Sequence, residues 1–75
     1  MKKFYVTRDL SGQLTLWMCK DDCQPAKNTE SNAWMVDTTL VFSNDDYSFM
    51  VISSDMFMSV QWADAEPTEV AVTIV

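Results

Sequence analysis

The stretch Lys3-Phe4-Tyr5-Val6-Thr7-Arg8-Asp9-Leu10-Ser11-Gly12-Gln13-Leu14-Thr15-Leu16-Trp17-Met18-Cys19 decides the fold. Its first part alternates, with Phe4 and Val6 on one side and Tyr5 and Thr7 on the other. Its last part does the same, setting Leu14, Leu16 and Met18 against Thr15 and Trp17. Side chains of an extended chain point to opposite faces in turn, so a period of two predicts strands. Between the runs stand Asp9, Leu10, Ser11 and Gly12, turn chemistry with the chain's one glycine where a positive φ costs least. Two alternating runs around such a turn predict a β-hairpin.

Outward from the hairpin, residues 20–32 carry no large apolar side chain and predict an exposed loop. At about 13 residues it exceeds most connections in small domains. Residues 33–36 predict a short strand around Trp34. Residues 38–42 and 47–52 are rich in β-branched and aromatic side chains, and Ser43, Asn44, Asp45 and Asp46 between them predict a second hairpin. Ser53, Ser54 and Asp55 offer capping oxygens to a short helix near residues 54–59. Residues 63–68, with Pro67, predict a loop, and residues 70–75 a closing strand that needs pairing within the sheet or across a dimer. The class is therefore mainly β, a single antiparallel sheet of about five strands with that one short helix. The expected core is Phe4, Val6, Leu14, Leu16, Trp34, Leu40, Phe42, Phe49, Val51, Phe57, Val70, Val72 and Ile74.

A chain of 75 residues and 8.6 kDa has material for one domain, residues 1–75. At 48% hydrophobic and 12% aromatic it is not a disordered segment. The net charge of −6 hides an asymmetry. Residues 1–27 hold all five bases (Lys2, Lys3, Arg8, Lys20, Lys27) against three acids, a net +2. Residues 28–75 hold eight acids and no base, a net −8. Such a balance excludes a protein that binds nucleic acid directly through Lys and Arg. Met1, Lys2 and Lys3 resemble the start of a signal peptide, but Thr7, Arg8 and Asp9 interrupt before an apolar stretch forms. Nothing approaches the roughly 18 apolar residues of a membrane helix, so a cytoplasmic protein with no membrane partner is expected.

Catalytic and metal chemistry find little footing. Absence of histidine removes the usual general base and the commonest metal ligand. Cys19 and Cys23, with three residues between them, match neither the redox Cys-x-x-Cys nor a zinc ribbon, and reduced thiols are expected. Carboxylates pair at Asp21-Asp22, Asp45-Asp46 and Asp64/Glu66, all in expected turns or loops, whereas two-carboxylate catalysis requires burial that separates their pKa values. Neither an enzyme nor a cofactor nor a metal site is expected. Six methionines and nine aromatics, by contrast, exceed what so small an interior holds. Some of Tyr5, Trp17, Met35, Tyr47, Met50, Met58 and Trp62 should reach the surface as interface anchors.

The opening Lys3-Phe-Tyr-Val-Thr-Arg-Asp9 with Gly12, and the closing Phe57, Val60, Trp62, Asp64, Pro67, Glu69 and Val70, resemble short proteins of phages and conjugative elements of gut bacteria. Those proteins open on a comparable hairpin and end in Phe-Pro-x-Val-x-Trp-x-Asp-x-x-Pro-x-Glu-Val; Met58 stands here where they have proline. The likeness covers about 30 of the 75 residues, at the two ends. It implies a lineage and assigns no activity or site residue. Together with the acidic tract, it leads to the expectation of a mobile-element accessory protein that acts by binding another protein. One form of that expectation is a DNA-like acidic face that inhibits a basic nucleic-acid-binding host protein through Asp45, Asp46, Asp64 and Glu66. An apolar contact through Trp17, Tyr47 and Trp62 is the companion expectation, and a structural or virion-associated homo-oligomer without inhibitory activity is the alternative.

Overall fold

The computed structural model describes residues 2–21, 23–43 and 45–71. The hairpin forms as its alternation dictates: β1 (Lys2–Arg8) pairs antiparallel with β2 (Leu14–Lys20), matching Tyr5 with Trp17 and Val6 with Leu16. Asp9 N–H donates to Gln13 O at 3.0 Å and Gly12 N–H to Asp9 O at 2.9 Å, while Gly12 takes a φ of 95°. A β-carbon there would sit in a strained backbone region, which is why glycine closes this turn.

Two short strands, β3 (Ala26–Asn28) and β4 (Ala33–Met35), form a separate antiparallel pair. The expected exposed loop at 20–32 is therefore corrected: it contains β3, and Cys23 and Pro25 within it are fully buried. Small side chains carry that burial, so a search for large apolar residues passes over it. Asn28 Oδ1 accepts from the N–H groups of Glu30 (2.9 Å) and Ser31 (3.2 Å), and Asn32 adopts a left-handed φ of 56° that asparagine tolerates.

β5 (Tyr47–Ile52) pairs with β2, and β6 (Thr68–Val70) pairs with β1, giving a four-stranded sheet in the order β5-β2-β1-β6. The antiparallel, mainly β class expected from the sequence is what forms, divided between two sheets rather than one. Residues 38–42 do not pair with β5. Asp37 accepts from Thr39 N–H at 2.9 Å and Thr39 Oγ1–H at 2.7 Å, turning Thr38–Leu40 into a single 3₁₀ turn. Local side-chain to backbone bonds thus win over the β-branched run. Nor is there a helix near 54–59. Two successive turns stand there, closed by Met56 N–H to Ser53 O (3.1 Å) and Val60 N–H to Phe57 O (2.9 Å). Phe57 carries a φ of 48°, a left-handed conformation that ends any helical run. Of the expected closing strand, residues 72–75 lie outside the described residues.

The sheet packs on both faces, unequally. Alternation puts Tyr5, Thr7, Thr15, Trp17 and Cys19 on one face, and there they join Cys23, Trp34 and Val36 from the β3–β4 layer. Val6 and Leu14 lie on the other face with Val60, the one other buried residue of this cluster among the described residues, and Leu16, Ile52 and Val70 are partly covered beside them. Leu40, Phe42, Phe49, Val51 and Phe57, all expected in the core, are exposed, with Phe42 at 81%. The principal core instead uses Tyr5, Trp17 and Cys19, whose face includes two threonines. Thr7 is 1% exposed and accepts the Trp17 indole N–H at 2.8 Å, so this buried polar pair satisfies itself. Among the described residues no buried side-chain nitrogen or oxygen lacks a hydrogen-bond partner.

Arg8 holds the second face together. Its guanidinium donates to four backbone carbonyls: Val60 at 2.7 Å, Gly12 at 2.8 Å, Ser54 at 3.3 Å and Met56 at 3.4 Å. A segment with no ladder of its own is thereby fastened over Val6 and Leu14. Replacing Arg8 by Met keeps the stem and removes the donors, and should lower stability by about 2 kcal/mol. Urea unfolding checks this, and amide exchange should quicken in residues 54–60 before the β1–β2 hairpin. Thr7→Val should cost about 1–3 kcal/mol, because it leaves the Trp17 N–H buried without an acceptor; an unchanged urea midpoint would contradict that account.

Candidate functional site

The acidic candidates fall into two pairs, and the pairs lie far apart on the sheet. Cys19 pairs with Tyr47, which places Asp45 and Asp46 at the Lys20 end of β5, on one edge. Val6 pairs with Thr68, which places Asp64 and Glu66 toward the Arg8 end, beyond β6 on the opposite edge. The four carboxylates therefore occupy diagonal corners and do not form one row.

Two of the four are also engaged in building turns. Asp46 accepts from the backbone N–H groups of Phe42 and Ser43 and from the Ser43 hydroxyl, and its carboxylate pairs with the Lys20 ammonium at 3.3 Å. The Phe42 N–H, supported by the Ser43 N–H and Lys20, holds its carboxyl down at about 2. Asp64 accepts from Gln61 N–H at 3.0 Å, and its own N–H returns to Gln61 O at 3.2 Å. Asp45 and Glu66 are exposed. Asp37, which no sequence motif singles out, is lowered too, chiefly by the Thr39 hydroxyl.

The apolar candidates are also divided. Trp17 is 6% exposed and belongs to the core, contrary to its expected place at the surface. Trp62 is half-buried against that same core, where the Lys27 ammonium sits 4.7 Å from its ring and 5.4 Å from the Trp34 ring while donating to Trp62 O. This is a packed cation–aromatic sandwich, with the Lys27 charge occupied. Tyr47 is half-buried at the start of β5.

Beyond Tyr47 and Met50, which the sequence names as surface candidates, it does not single out the surface around β5. Phe49, Met50 and Val51 are 59%, 57% and 57% exposed, and Phe42 lies near the Asp46 end with the Lys20 ammonium 4.7 Å from its ring. Each face beside β5 opens a groove. On the core side a groove of about 270 Å³ is bordered by Trp17, Trp34, Val36, Tyr47 and Phe49, with Asp9 and Gln13 at its polar rim. On the other side one of about 200 Å³ is bordered by Phe4, Leu16, Met18 and Met50. The signal was present in residues 47–52 as six uncharged residues, but the same pattern equally describes a strand buried at the centre of a sheet.

Cys19 and Cys23 lie together in the core, both free thiols, at 0% and 1% exposure. Burial, with Cys23 as neighbour, pushes the Cys19 thiol up to about 11. A thiol that stays protonated is a poor nucleophile and a poor metal ligand. Among the described residues no group of three or more Cys, Asp or Glu is placed to hold a metal ion, and no helix is long and apolar enough to cross a membrane. No known protein family, curated protein or solved structure matches the chain.

Two pH-dependent outcomes follow from these environments. Asp46 has a depressed pKa, so the stability linked to it is present above about pH 4 and is lost as pH falls through about 2. Asp46→Asn should lower the urea midpoint at pH 7, and the difference from the parent should shrink between pH 4 and 2. Cys19 has a raised pKa, so its contribution is intact below about pH 9 and declines as pH rises through about 11. At pH 8 iodoacetamide should label the thiols only at the rate of global unfolding. Fast labelling of the folded protein would show a site open to reagents.

Proposed function

We propose that this chain is a protein-binding module, acting by contact and not by catalysis, with its contact surface along β5. The observation that carries this reading is the exposure of Phe49, Met50 and Val51 together on one strand, with Phe42 near its Asp46 end. Clustered exposed aromatic and Met side chains at a rim of acids are the usual composition of an interface centre and its border. The base-free −8 stretch of residues 28–75 favours a partner with a basic surface, and a nucleic-acid-binding host protein fits that charge. The resemblance to phage and conjugative-element proteins supports the same setting, an accessory protein directed at a host component. A row of carboxylates imitating phosphates is the weaker form of this reading, because the acids stand at diagonal corners and Asp46 is already paired with Lys20.

Self-association is the second reading, favoured by the absence of charge from β5. Both are tested with one variant, Phe42→Ser/Phe49→Ser/Val51→Ser, whose targets are exposed and whose fold should persist by circular dichroism. Capture from host lysate should yield a partner on the parent chain and lose it on the triple variant. Sedimentation of the parent alone at low micromolar concentration should give a monomer. A partner retained by the triple variant would move the contact surface elsewhere, and a concentration-dependent dimer abolished by it would establish the oligomer instead.

A further inference from the structure

We propose that β5 takes up an extended segment of another protein as an added strand, a segment apolar at its centre and carrying Lys or Arg at both ends. This rests on the reading of the chain as a protein-binding module and names the chemistry of its partner.

The two edges of the sheet differ in a way that singles out β5. β6 is three residues long and carries Glu69, which pairs with Lys3 across the β1–β6 ladder at 3.9 Å. β5 is six residues long, Tyr47–Ile52, without charge, proline or glycine. Natural sheets blunt an edge by making it short or charged, and β6 shows both devices while β5 shows neither. Only β2 lies beside β5 among the described strands, so its outer backbone N–H and C=O groups face outward along the whole strand. An added strand completes that ladder. Its side chains then alternate between the two faces, one set toward the groove at Trp34 and Phe49, the other toward the groove at Leu16 and Met50.

Charge selects the segment. Asp45 precedes β5 next to Asp46, whose carboxylate is already paired with Lys20, Asp55 follows the strand, and no base occurs anywhere in residues 28–75. The same acids argue against a second copy of this chain. Antiparallel pairing of β5 with itself sets Asp45 of one copy near Asp55 of the other at both ends, in proteins that each carry −6. A segment with basic ends turns both of those repulsions into attractions.

The test uses the whole protein and the labelled peptide acetyl-Lys-Lys-Thr-Val-Thr-Phe-Thr-Val-Lys-Lys-amide, followed by fluorescence anisotropy. Two further peptides carry backbone N-methyl groups on one or the other alternate set of residues, and a fourth has Glu in place of every Lys. The parent peptide should bind and should slow amide exchange in residues 47–52. One N-methyl series should bind about tenfold weaker or worse while the other binds nearly as the parent, because only alternate amides face the edge. The Glu peptide should also weaken about tenfold at low salt. Val51→Lys in the protein should reduce binding by a similar factor with the fold unchanged.

Equal binding by both N-methyl series, or no binding by the parent peptide at millimolar concentration, would overturn strand addition. Protection of residues 47–52 in the protein alone, together with a dimeric sedimentation value, would make a second copy the occupant and overturn the basic segment. The binding-module reading is decided separately, since it stands if the Ser triple variant loses a lysate partner and falls if that partner is retained.

Discussion

A β-sheet has two faces, and the described residues of this chain cover little more than one. That shortage governs the rest of the molecule. The central strands β1 and β2 are paired on both sides, so their side chains need cover above and below. The 23–41 segment supplies it on the Tyr5/Trp17 face, where Trp34 spans to the hairpin turn: its indole N–H donates to Arg8 O at 3.1 Å and its backbone N–H to Asp9 Oδ1 at 3.3 Å. On the opposite face, among the described residues, only Val60 is fully inserted. The molecule is accordingly thin, 38 × 30 × 18 Å, and its edge strand β5 is left with both sides partly bare.

With so little core, single polar side chains take on tasks that larger proteins spread over secondary structure. Arg8 fixes the 54–60 segment by donating to its carbonyls, Asp46 fixes the 42–46 turn by accepting from its amides, and Asn28 does the same for the turn into β4. Each replaces a missing ladder with bonds from one side chain, and those from the charged Arg8 and Asp46 are stronger individually than backbone pairs. The consequence is that acids read from sequence as a charged surface are partly structural. Asp46 is the clearest case, a carboxylate whose field is spent on Phe42, Ser43 and Lys20 before it reaches a partner.

The β1–β2 hairpin was legible because alternation and Gly12 are local signals that point to the same structure. Which face turns inward was not. Phe4, Val6, Leu14, Leu16 and Met18 outweigh Tyr5, Thr7, Thr15, Trp17 and Cys19 in hydrophobicity, yet the second set forms the main core. The deciding factor is what arrives to cover each face, a long-range matter that alternation does not encode. Trp17 is acceptable inside because Thr7 receives its N–H, a pairing across strands that becomes visible only with the register. Arg8 did leave a trace, as a charge that follows Phe4 and Val6 on their own face of the run. The candidate surface was half legible in the same sense: residues 47–52 read as a strand, while its position at the edge depended on residues 38–42 not pairing with it, Thr38–Leu40 forming a 3₁₀ turn instead.

An uncharged edge strand is an invitation to self-assembly, and the question is why it is kept. The answer lies in where the acids stand. On the strand-addition reading they are absent from β5 itself, where they would block any added strand, and present at Asp45 and Asp55 just outside it, Asp46 being paired with Lys20. In that position they oppose a second copy of the same chain without closing the backbone edge to others. Discrimination of this kind is a difference between two affinities, obtained by placing repulsion against the unwanted partner and leaving the contact surface intact. On the strand-addition reading, the acids that flank β5 are then more than a solubility device: they separate a partner bearing the opposite charge from a copy bearing the same one.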